Sequence, residues 1–147
     1  MRYFAYGSNM NPDRMKERKV NFSSRQHAIL KSHSLQFNKI ASSNPREGKG
    51  NIIKAADLVE GTLYEIDSSD RGRLDSFEGY PKEYDSMAVL VQLDNGTEVE
   101  AFTYIAKPNR IGIGLKPTKE YLSHYLTAKD VLSPKYYQKL ASWPTLD

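Results

Sequence analysis

The sequence predicts an α+β fold: a small, curved, mostly antiparallel sheet or barrel with short helices at its rim. Segments that alternate apolar and polar residues recur along most of the chain, as in half-buried strands. Helix signals occupy only a few brief stretches. The chain has 147 residues, 39% of them hydrophobic, which suffices for one domain with its own core. We therefore expect residues 1–147 to form a single domain.

The first strand is predicted at Tyr3–Tyr6, and it leads directly into the turn Gly7-Ser8-Asn9-Met10. Such a turn can tighten the chain and direct several backbone N–H groups into one concave spot, which suits an anion such as a carboxylate. Asn11 then provides a helix cap and Pro12 the first helical position, so a helix of about two turns should follow.

The middle of the chain predicts four short strands and one polar loop. The loop covers residues 42–51, which are rich in Ser, Asn, Gly and charged residues. Gly61 lies inside the last of these strands and indicates a bulge or a close backbone approach. The four predicted strands are Gln26–Leu30, Leu35–Ile40, Ile52–Ala56 and Val59–Ile66.

The second half predicts a hairpin between short helices. Residues 67–70 should cap a helix that stops at Gly79-Tyr80-Pro81. The turn Asp94-Asn95-Gly96, between strands at Met87–Leu93 and Glu98–Ile105, is a strong hairpin signal.

The C-terminal part begins with a predicted mobile loop over residues 108–117. Thr118 should cap a helix that carries Tyr121, and a further helical turn or two should begin at Pro134.

Composition excludes several classes of function. The chain has no cysteine, so it can form neither a disulfide nor a thiolate nucleophile. His27, His33 and His124 do not have the spacing of metal ligands, and we expect no metal site. The 21 basic residues are offset by 18 acidic ones along the same segments, which favours a protein that does not bind nucleic acid.

The sequence also gives no sign of membrane association. No apolar run approaches the roughly 18 residues that a membrane span requires. The first strand is predicted within a few residues of Met1, so we expect no signal peptide and a cytoplasmic protein.

Glu78 is the acidic residue that we single out. It lies at a predicted helix end beside Phe77 and Tyr80, where partial burial among aromatic rings would raise its pKa toward the range useful for proton transfer. The alternative is a solvated surface glutamate before a turn glycine. Ser8 is a poor candidate for a nucleophile, because no Gly-x-Ser-x-Gly motif surrounds it.

Two segments carry a resemblance to a known family. Tyr3-Phe4-Ala5-Tyr6-Gly7-Ser8-Asn9-Met10 resembles the N-terminal signature of the gamma-glutamylcyclotransferase family, and Phe77-Glu78-Gly79-Tyr80 resembles its catalytic-acid segment. Residues 59–66 and the Pro-Thr-x-x-Tyr segment at 117–121 extend the similarity over nearly the whole chain.

The resemblance implies a barrel of six or seven strands with mixed pairing. It also implies an enzyme that releases 5-oxoproline from gamma-glutamyl compounds without a metal or cofactor. By the same resemblance Glu78 transfers the proton, and the substrate-binding residues are Tyr6, Gly7, Ser8, Asn9, Met10, Tyr104 and Tyr121. The Tyr-Gly-Ser-Asn motif points to the branch that acts on gamma-glutamyl amino acids or peptides.

Several alternatives remain open at the level of sequence. The chain could be a non-catalytic module that binds gamma-glutamyl or related small molecules; the acid at position 78 favours catalysis. The sequence decides neither the leaving group of the substrate nor between a monomer and a homodimer.

Overall fold

Two long antiparallel strands, β2 (Phe22–Ile40) and β3 (Gly48–Ile66), form the largest part of the structure. The structure is a computed structural model that describes residues 1–147. Three shorter strands complete the sheet: β1 (Arg2–Ala5), β4 (Tyr84–Leu93) and β5 (Glu98–Ala106). They close into a barrel in the order β1-β3-β2-β4-β5. The β1–β5 pair is parallel and the other pairs are antiparallel, so the pairing is mixed.

The barrel has five strands rather than the predicted six or seven. The four strands predicted between residues 26 and 66 are the two halves of β2 and the two halves of β3. The polar stretch at Lys31–Ser34 looked like a break, but pairing continues through it with a register shift between Lys31 and His33. A bulge lets one bent strand pass through a sequence that lacks strict alternation. The predicted loop is correspondingly shorter, since residues 48–51 already belong to β3.

Four short α-helices lie outside the barrel, and side-chain caps begin three of them. They are α1 (Pro12–Glu17), α2 (Arg71–Glu78), α3 (Lys119–Leu126) and α4 (Pro134–Ala141). The side chain of Asn11 caps α1, and those of Thr118 and Ser133 cap α3 and α4. Single 3-10 turns occur at Ser8–Met10, Ser68–Asp70, Pro108–Arg110 and Thr127–Asp130.

Two glycine predictions are confirmed. Gly96 has φ +85° in the turn between β4 and β5, a conformation that glycine adopts without strain. A Cβ at Gly61 would lie 2.5 Å from the Ala5 carbonyl oxygen, so Gly61 marks a close backbone approach. Its pairing with Ala28 involves no register shift.

Aromatic side chains form much of the hydrophobic core, to which both the barrel strands and α3 contribute. Tyr3 stacks on Phe102 with ring centroids 5.1 Å apart, and Phe4, Tyr64 and Tyr125 are fully buried. The core is therefore packed with rings, and the pocket described below lies where β1 ends.

No helix of the chain combines the length and the apolar character needed to cross a membrane.

Candidate active site

A small pocket of about 30 Å³ opens where β1 ends. The predicted site residues Glu78, Tyr104 and Tyr121 come from α2, β5 and α3, and all of them face this pocket. The complete lining is Tyr3, Tyr6, Gly7, Ser8, Asn9, Gly50, Glu78, Tyr84, Thr103, Tyr104 and Tyr121. The structure thus brings together seven of the eight residues that the sequence predicted for the site.

Met10 is the eighth residue, and it lies elsewhere. Its side chain is fully buried in the hydrophobic core and does not line the pocket. The carbonyl of Gly7 accepts a hydrogen bond from the Met10 N–H, so this residue closes the turn from within.

The Gly7–Asn9 loop offers backbone donors to the pocket. The Gly7 N–H takes part in no backbone hydrogen bond. Ser8 and Asn9 begin a 3-10 turn, and the first N–H groups of a helical turn have no partner within it. These groups can bind an anion or a polarised carbonyl oxygen.

The Asn9 side chain is the centre of the hydrogen-bond network. Its Nδ2 donates to the Glu78 carboxylate at 2.7 Å and to the Tyr3 hydroxyl at 3.0 Å. Its Oδ1 accepts from Arg18 at 2.8 Å, while the Tyr64 hydroxyl donates to its backbone carbonyl at 2.7 Å. The side chain and the carbonyl of Asn9 are therefore occupied, and its amide group holds Glu78 in place.

Glu78 is the last residue of α2, and the left-handed Gly79 (φ +70°) turns the chain away immediately after it. Burial raises the pKa of the Glu78 carboxyl. The charges of Arg18, Arg14 and Lys39 and the hydrogen bond from Asn9 lower its pKa and so limit the rise. A carboxyl whose pKa is raised and whose position is fixed is suited both to accept and to return a proton.

Tyrosine hydroxyls surround this carboxyl. Tyr6 donates to the Tyr104 backbone carbonyl at 2.6 Å, and Tyr104 donates to Asp75 at 2.5 Å. Arg71 contacts the same Asp75 oxygen at 3.1 Å. Burial, with Glu78 adding to it, raises the pKa of Tyr6, so this phenol stays neutral.

A second set of hydroxyls ties α3 to β3. The Gly50 N–H donates to the Tyr121 hydroxyl at 2.9 Å, and Tyr84 donates to the Gly50 carbonyl at 2.7 Å. The Tyr121 and Tyr125 hydroxyls lie 3.0 Å apart. A Cβ at Gly50 would lie 2.1 Å from the Tyr125 hydroxyl, so a larger residue at this position would have to displace Tyr125 or the backbone. These contacts fix Tyr121 at the pocket wall.

The site residues that sequence reasoning missed are Tyr3, Gly50, Tyr84 and Thr103. Gly50 lay in a stretch predicted as a loop, and its contact with Tyr121 spans 71 positions of sequence. Tyr3 belongs to the quoted N-terminal motif, which was the only available signal. Thr103 donates to the Phe4 carbonyl and carries no local pattern.

A second, larger chamber of about 280 Å³ adjoins the pocket. The two share the lining residues Ser8, Glu78, Tyr84 and Tyr121. We call the first the inner pocket and the second the outer chamber. The outer chamber is also lined by Arg14, Arg18, Lys39, Ser42, Lys49, Ser76, Phe77, Gly79 and Glu83.

The chain contains no group of three or more His, Asp and Glu side chains arranged to hold a metal ion. His27, His33 and His124 lie apart, and none of them lines the inner pocket. The groups that can act on a ligand there are one carboxyl, several hydroxyls and the backbone N–H groups of one loop.

Comparison with known proteins places this arrangement in a family. Residues 3–125 match the family model described as gamma-glutamyl cyclotransferase, AIG2-like. The chain belongs to this family. The match contains the Gly7–Asn9 loop, Glu78 and Tyr121, that is, every element of the inner pocket.

One curated relative of this gamma-glutamyl cyclotransferase-like chain comes from Methanocaldococcus jannaschii, and its name gives gamma-glutamylcyclotransferase as a provisional activity. The two are 38% identical over 55 residues, which cover 37% of this chain and 45% of the relative. The matched segment therefore spans less than half of that relative.

Solved structures share the fold of this cyclotransferase-like chain along its whole length. A gamma-glutamyl cyclotransferase with 25% identity gives a TM-score of 0.86 and covers 100% of this chain and 89% of its own. An uncharacterised human protein gives 0.87 at 24% identity over 99% of this chain and 89% of its own. YkqA from Bacillus subtilis gives 0.85 at 24% identity over 99% of this chain and 55% of its own.

Proposed function

We propose that the protein is a gamma-glutamylcyclotransferase, which cyclises the gamma-glutamyl group of a gamma-glutamyl amino acid or peptide to 5-oxoproline and releases the amine. The observation that carries the proposal is the Glu78 carboxyl, partly buried at the pocket wall and held by Asn9 beside a loop of backbone donors. The family assignment supports the same class of reaction.

The reaction needs no nucleophile from the protein. The substrate's own α-amine attacks its γ-carbonyl carbon, a C–N bond closes the five-membered lactam, and the original γ-amide C–N bond breaks. Attack within one molecule can reach an effective molarity on the order of 10⁵ M or more when the reacting groups are held in line. The protein's part is to fold the substrate and to move protons.

Glu78 moves the protons in this proposal. Its carboxylate takes a proton from the attacking amine and returns one to the nitrogen that leaves, so the residue ends the cycle as it began. Proton transfer of this kind contributes roughly 10²–10⁴-fold to the rate. Its raised pKa suits both halves of the step.

Backbone N–H groups of Gly7, Ser8 and Asn9 hold the substrate's α-carboxylate in this proposal, with one of them near the oxygen where negative charge develops. The walls around the glutamyl chain are formed by Tyr6, Tyr104 and Tyr121. All three side chains are held by hydrogen bonds to neighbouring protein groups, which keeps the pocket narrow.

The experiment is to incubate the purified protein with gamma-glutamyl amino acids, gamma-glutamylamines and glutathione and to measure 5-oxoproline. Release of 5-oxoproline from at least one substrate, in proportion to enzyme, is the expected result. Binding of 5-oxoproline with no release from any substrate would instead identify a non-catalytic binding module.

A further inference from the structure

The outer chamber lies where the leaving part of a substrate must go. Glu78 lines both the inner pocket and the outer chamber. If the proposed function holds, the glutamyl part fills the inner pocket and the bond that breaks lies beside Glu78. The amine on the other side of that bond then occupies the outer chamber, which at about 280 Å³ is the larger of the two spaces.

The charged lining of this chamber is mainly positive. The chamber is lined by four cationic side chains, those of Arg14, Arg18, Lys39 and Lys49. Only two carboxylates, those of Glu78 and Glu83, line it with them. Neither arginine has an acidic group within the 4.0 Å of an ion pair. Unbalanced charges with low-dielectric walls concentrate anions in a cleft.

Two of the four cations are committed to the protein itself. Lys39 is buried and pairs with Glu83 at 2.6 Å. Arg18 donates to Asn9 at 2.8 Å and lies over the Phe77 ring at 4.9 Å. Both hold the walls and the Glu78 network in place.

The other two cations, Arg14 and Lys49, line both this chamber and a neighbouring depression that contains Glu47 and His124, and each keeps donors that the protein does not use. The Nε of Arg14 is buried without a hydrogen-bond partner, and its Nη1 contacts only the His124 ring at 3.2 Å. Lys49 lies over the Tyr121 ring at 4.1 Å and pairs with Glu47, which is outside the chamber, at 3.0 Å. An ammonium keeps further donors when one is used.

We infer that the outer chamber is a subsite for the carboxylate of the leaving group, and that Arg14 and Lys49 bind it. The inference rests on the proposed function and narrows it: the protein discriminates against gamma-glutamylamines that leave without a negative charge. Lys49 carries the sharper test, because it is not among the charges that set the pKa of Glu78, whereas Arg14 is.

The test uses gamma-glutamyl-alanine and gamma-glutamyl-alaninamide, which differ only in the terminal carboxylate. The kcat/KM for 5-oxoproline release is measured for each substrate with the wild type, Arg14→Gln and Lys49→Gln. Lys16→Gln is the matched control, because Lys16 is an exposed cation on the same helix as Arg14 and lines neither space. Calorimetric affinities of both compounds for Glu78→Gln measure binding separately from turnover.

We expect the wild type to prefer the acid over the amide by about tenfold or more, the effect of a charge-assisted hydrogen bond. Arg14→Gln and Lys49→Gln should each reduce that ratio several-fold, while Lys16→Gln should retain it. Salt should also reduce the ratio, since the chamber is open to solvent.

Equal use of acid and amide by the wild type would overturn the subsite and leave the cyclotransferase intact. An equal loss for both substrates in Arg14→Gln and Lys49→Gln would also overturn it, because the cations would then serve the glutamyl part. If no gamma-glutamyl compound of the wider panel releases 5-oxoproline, the proposed function fails; a calorimetric preference for the acid would still support the subsite, and equal affinities would overturn it.

Discussion

Glu78 combines two properties that act against each other in the folded protein. Burial makes its ionised form unfavourable, while Arg18, Arg14, Lys39 and Asn9 favour that form, and the balance leaves the pKa raised. A carboxyl with a raised pKa in the folded state stabilises the fold less as it ionises. Functional groups held in this way reduce the stability of the protein that carries them.

The first prediction concerns stability as a function of pH. Because the folded pKa of Glu78 is raised, its contribution is fully present below the unfolded value of about 4.3 and is lost as pH rises through the folded value. Glu78→Gln should therefore be more stable than the wild type near neutral pH, and the difference should vanish near pH 4. Thermal unfolding followed from acid to neutral pH measures it.

The variant Glu83→Gln should change the stability of the protein in the opposite direction. The hydrogen bond and charge of Lys39, with Arg110 adding to them, hold the pKa of Glu83 below its usual range. Its stabilisation is present above the unfolded value and is lost as pH falls through the folded one. This variant should be less stable than the wild type at neutral pH. A gain in stability for both variants at neutral pH would contradict the assignment of Glu78 as the destabilising carboxyl.

The side chains around Glu78 also show what a sequence can convey about a site. The Gly7–Asn9 loop and Glu78 were recognisable because each lies within a short continuous motif. Tyr84 and Gly50 join the same pocket through hydrogen bonds between residues 34 positions apart. No local pattern predicts a contact of that range, so this wall of the inner pocket emerges only from the fold.

At the scale of elements, a charged cluster centred on His27 connects three parts of the fold. His27 in β2 lies 2.8 Å from Glu60 in β3 and 2.5 Å from Asp94 in the β4–β5 turn. Ser133, the cap of α4, donates to Glu60 through both its N–H and its hydroxyl. Burial lowers the pKa of His27, but the bonds to Asp94 and Glu60 outweigh it, so the pKa is raised.

The second prediction follows from that raised pKa. The stabilisation by His27 is fully present below the unfolded histidine pKa of about 6.5 and is lost as pH rises through the higher folded value. His27→Gln should therefore lower the free energy of unfolding more at pH 5.5 than at pH 9, as measured by denaturant titration. His33→Gln is the control, since the His33 ring hydrogen-bonds to the Lys31 carbonyl and forms no ion pair. An effect of His27→Gln that grows with pH would contradict the prediction.

The third prediction tests the close contact between β3 and α3. Gly50→Ala places a Cβ 2.1 Å from the Tyr125 hydroxyl, so the Tyr125 side chain, α3 or β3 must move. We expect a loss of about 1–3 kcal/mol in the free energy of unfolding, as is typical of overpacking. Tyr121 should shift with its partner, and 5-oxoproline release should fall.

Gly72→Ala is the matched control for that change. A Cβ at Gly72 in α2 meets nothing within 4 Å, and alanine favours a helix over glycine by about 0.5–1 kcal/mol. This variant should be as stable as the wild type or more so, with full activity. Equal stability of Gly50→Ala and the wild type would show that the β3–α3 contact is looser than described.

The number of strands illustrates the limit of prediction at this scale. Breaks were predicted at Lys31–Ser34 and near Asp57, where polar residues interrupt the alternation. Both lie inside continuous strands, because cross-strand pairing over 19 residues outweighs a locally irregular pattern. Helix caps and the Asn95-Gly96 turn were predictable since their signals are local.

At the scale of the whole molecule, the barrel brings four separate segments to one end. β1 supplies the Gly7–Asn9 loop, α2 supplies Glu78, β5 supplies Tyr104 and α3 supplies Tyr121. The mixed sheet was expected from the family resemblance, and the residues alone indicated only a curved, mostly antiparallel one. The parallel β1–β5 pairing that closes the barrel has no signature in the sequence.

The fourth prediction concerns metals. In the proposed reaction the attacking amine and the leaving amine both belong to the substrate, and proton transfer belongs to Glu78. Activity should therefore survive prolonged incubation with EDTA, followed by gel filtration into chelator-treated buffer. Loss of activity that zinc or magnesium restores would contradict this account of the chemistry.

The most direct measurement compares 5-oxoproline release by the wild type and Glu78→Gln at saturating gamma-glutamyl substrate, together with the affinity of each for 5-oxoproline. We predict that release falls by about 10²-fold or more in Glu78→Gln while affinity stays within a few-fold. Glu98→Gln, a change at an exposed glutamate that lines neither space, should retain the release in full. Turnover by Glu78→Gln close to that of the wild type would contradict the central claim that this carboxyl transfers the proton.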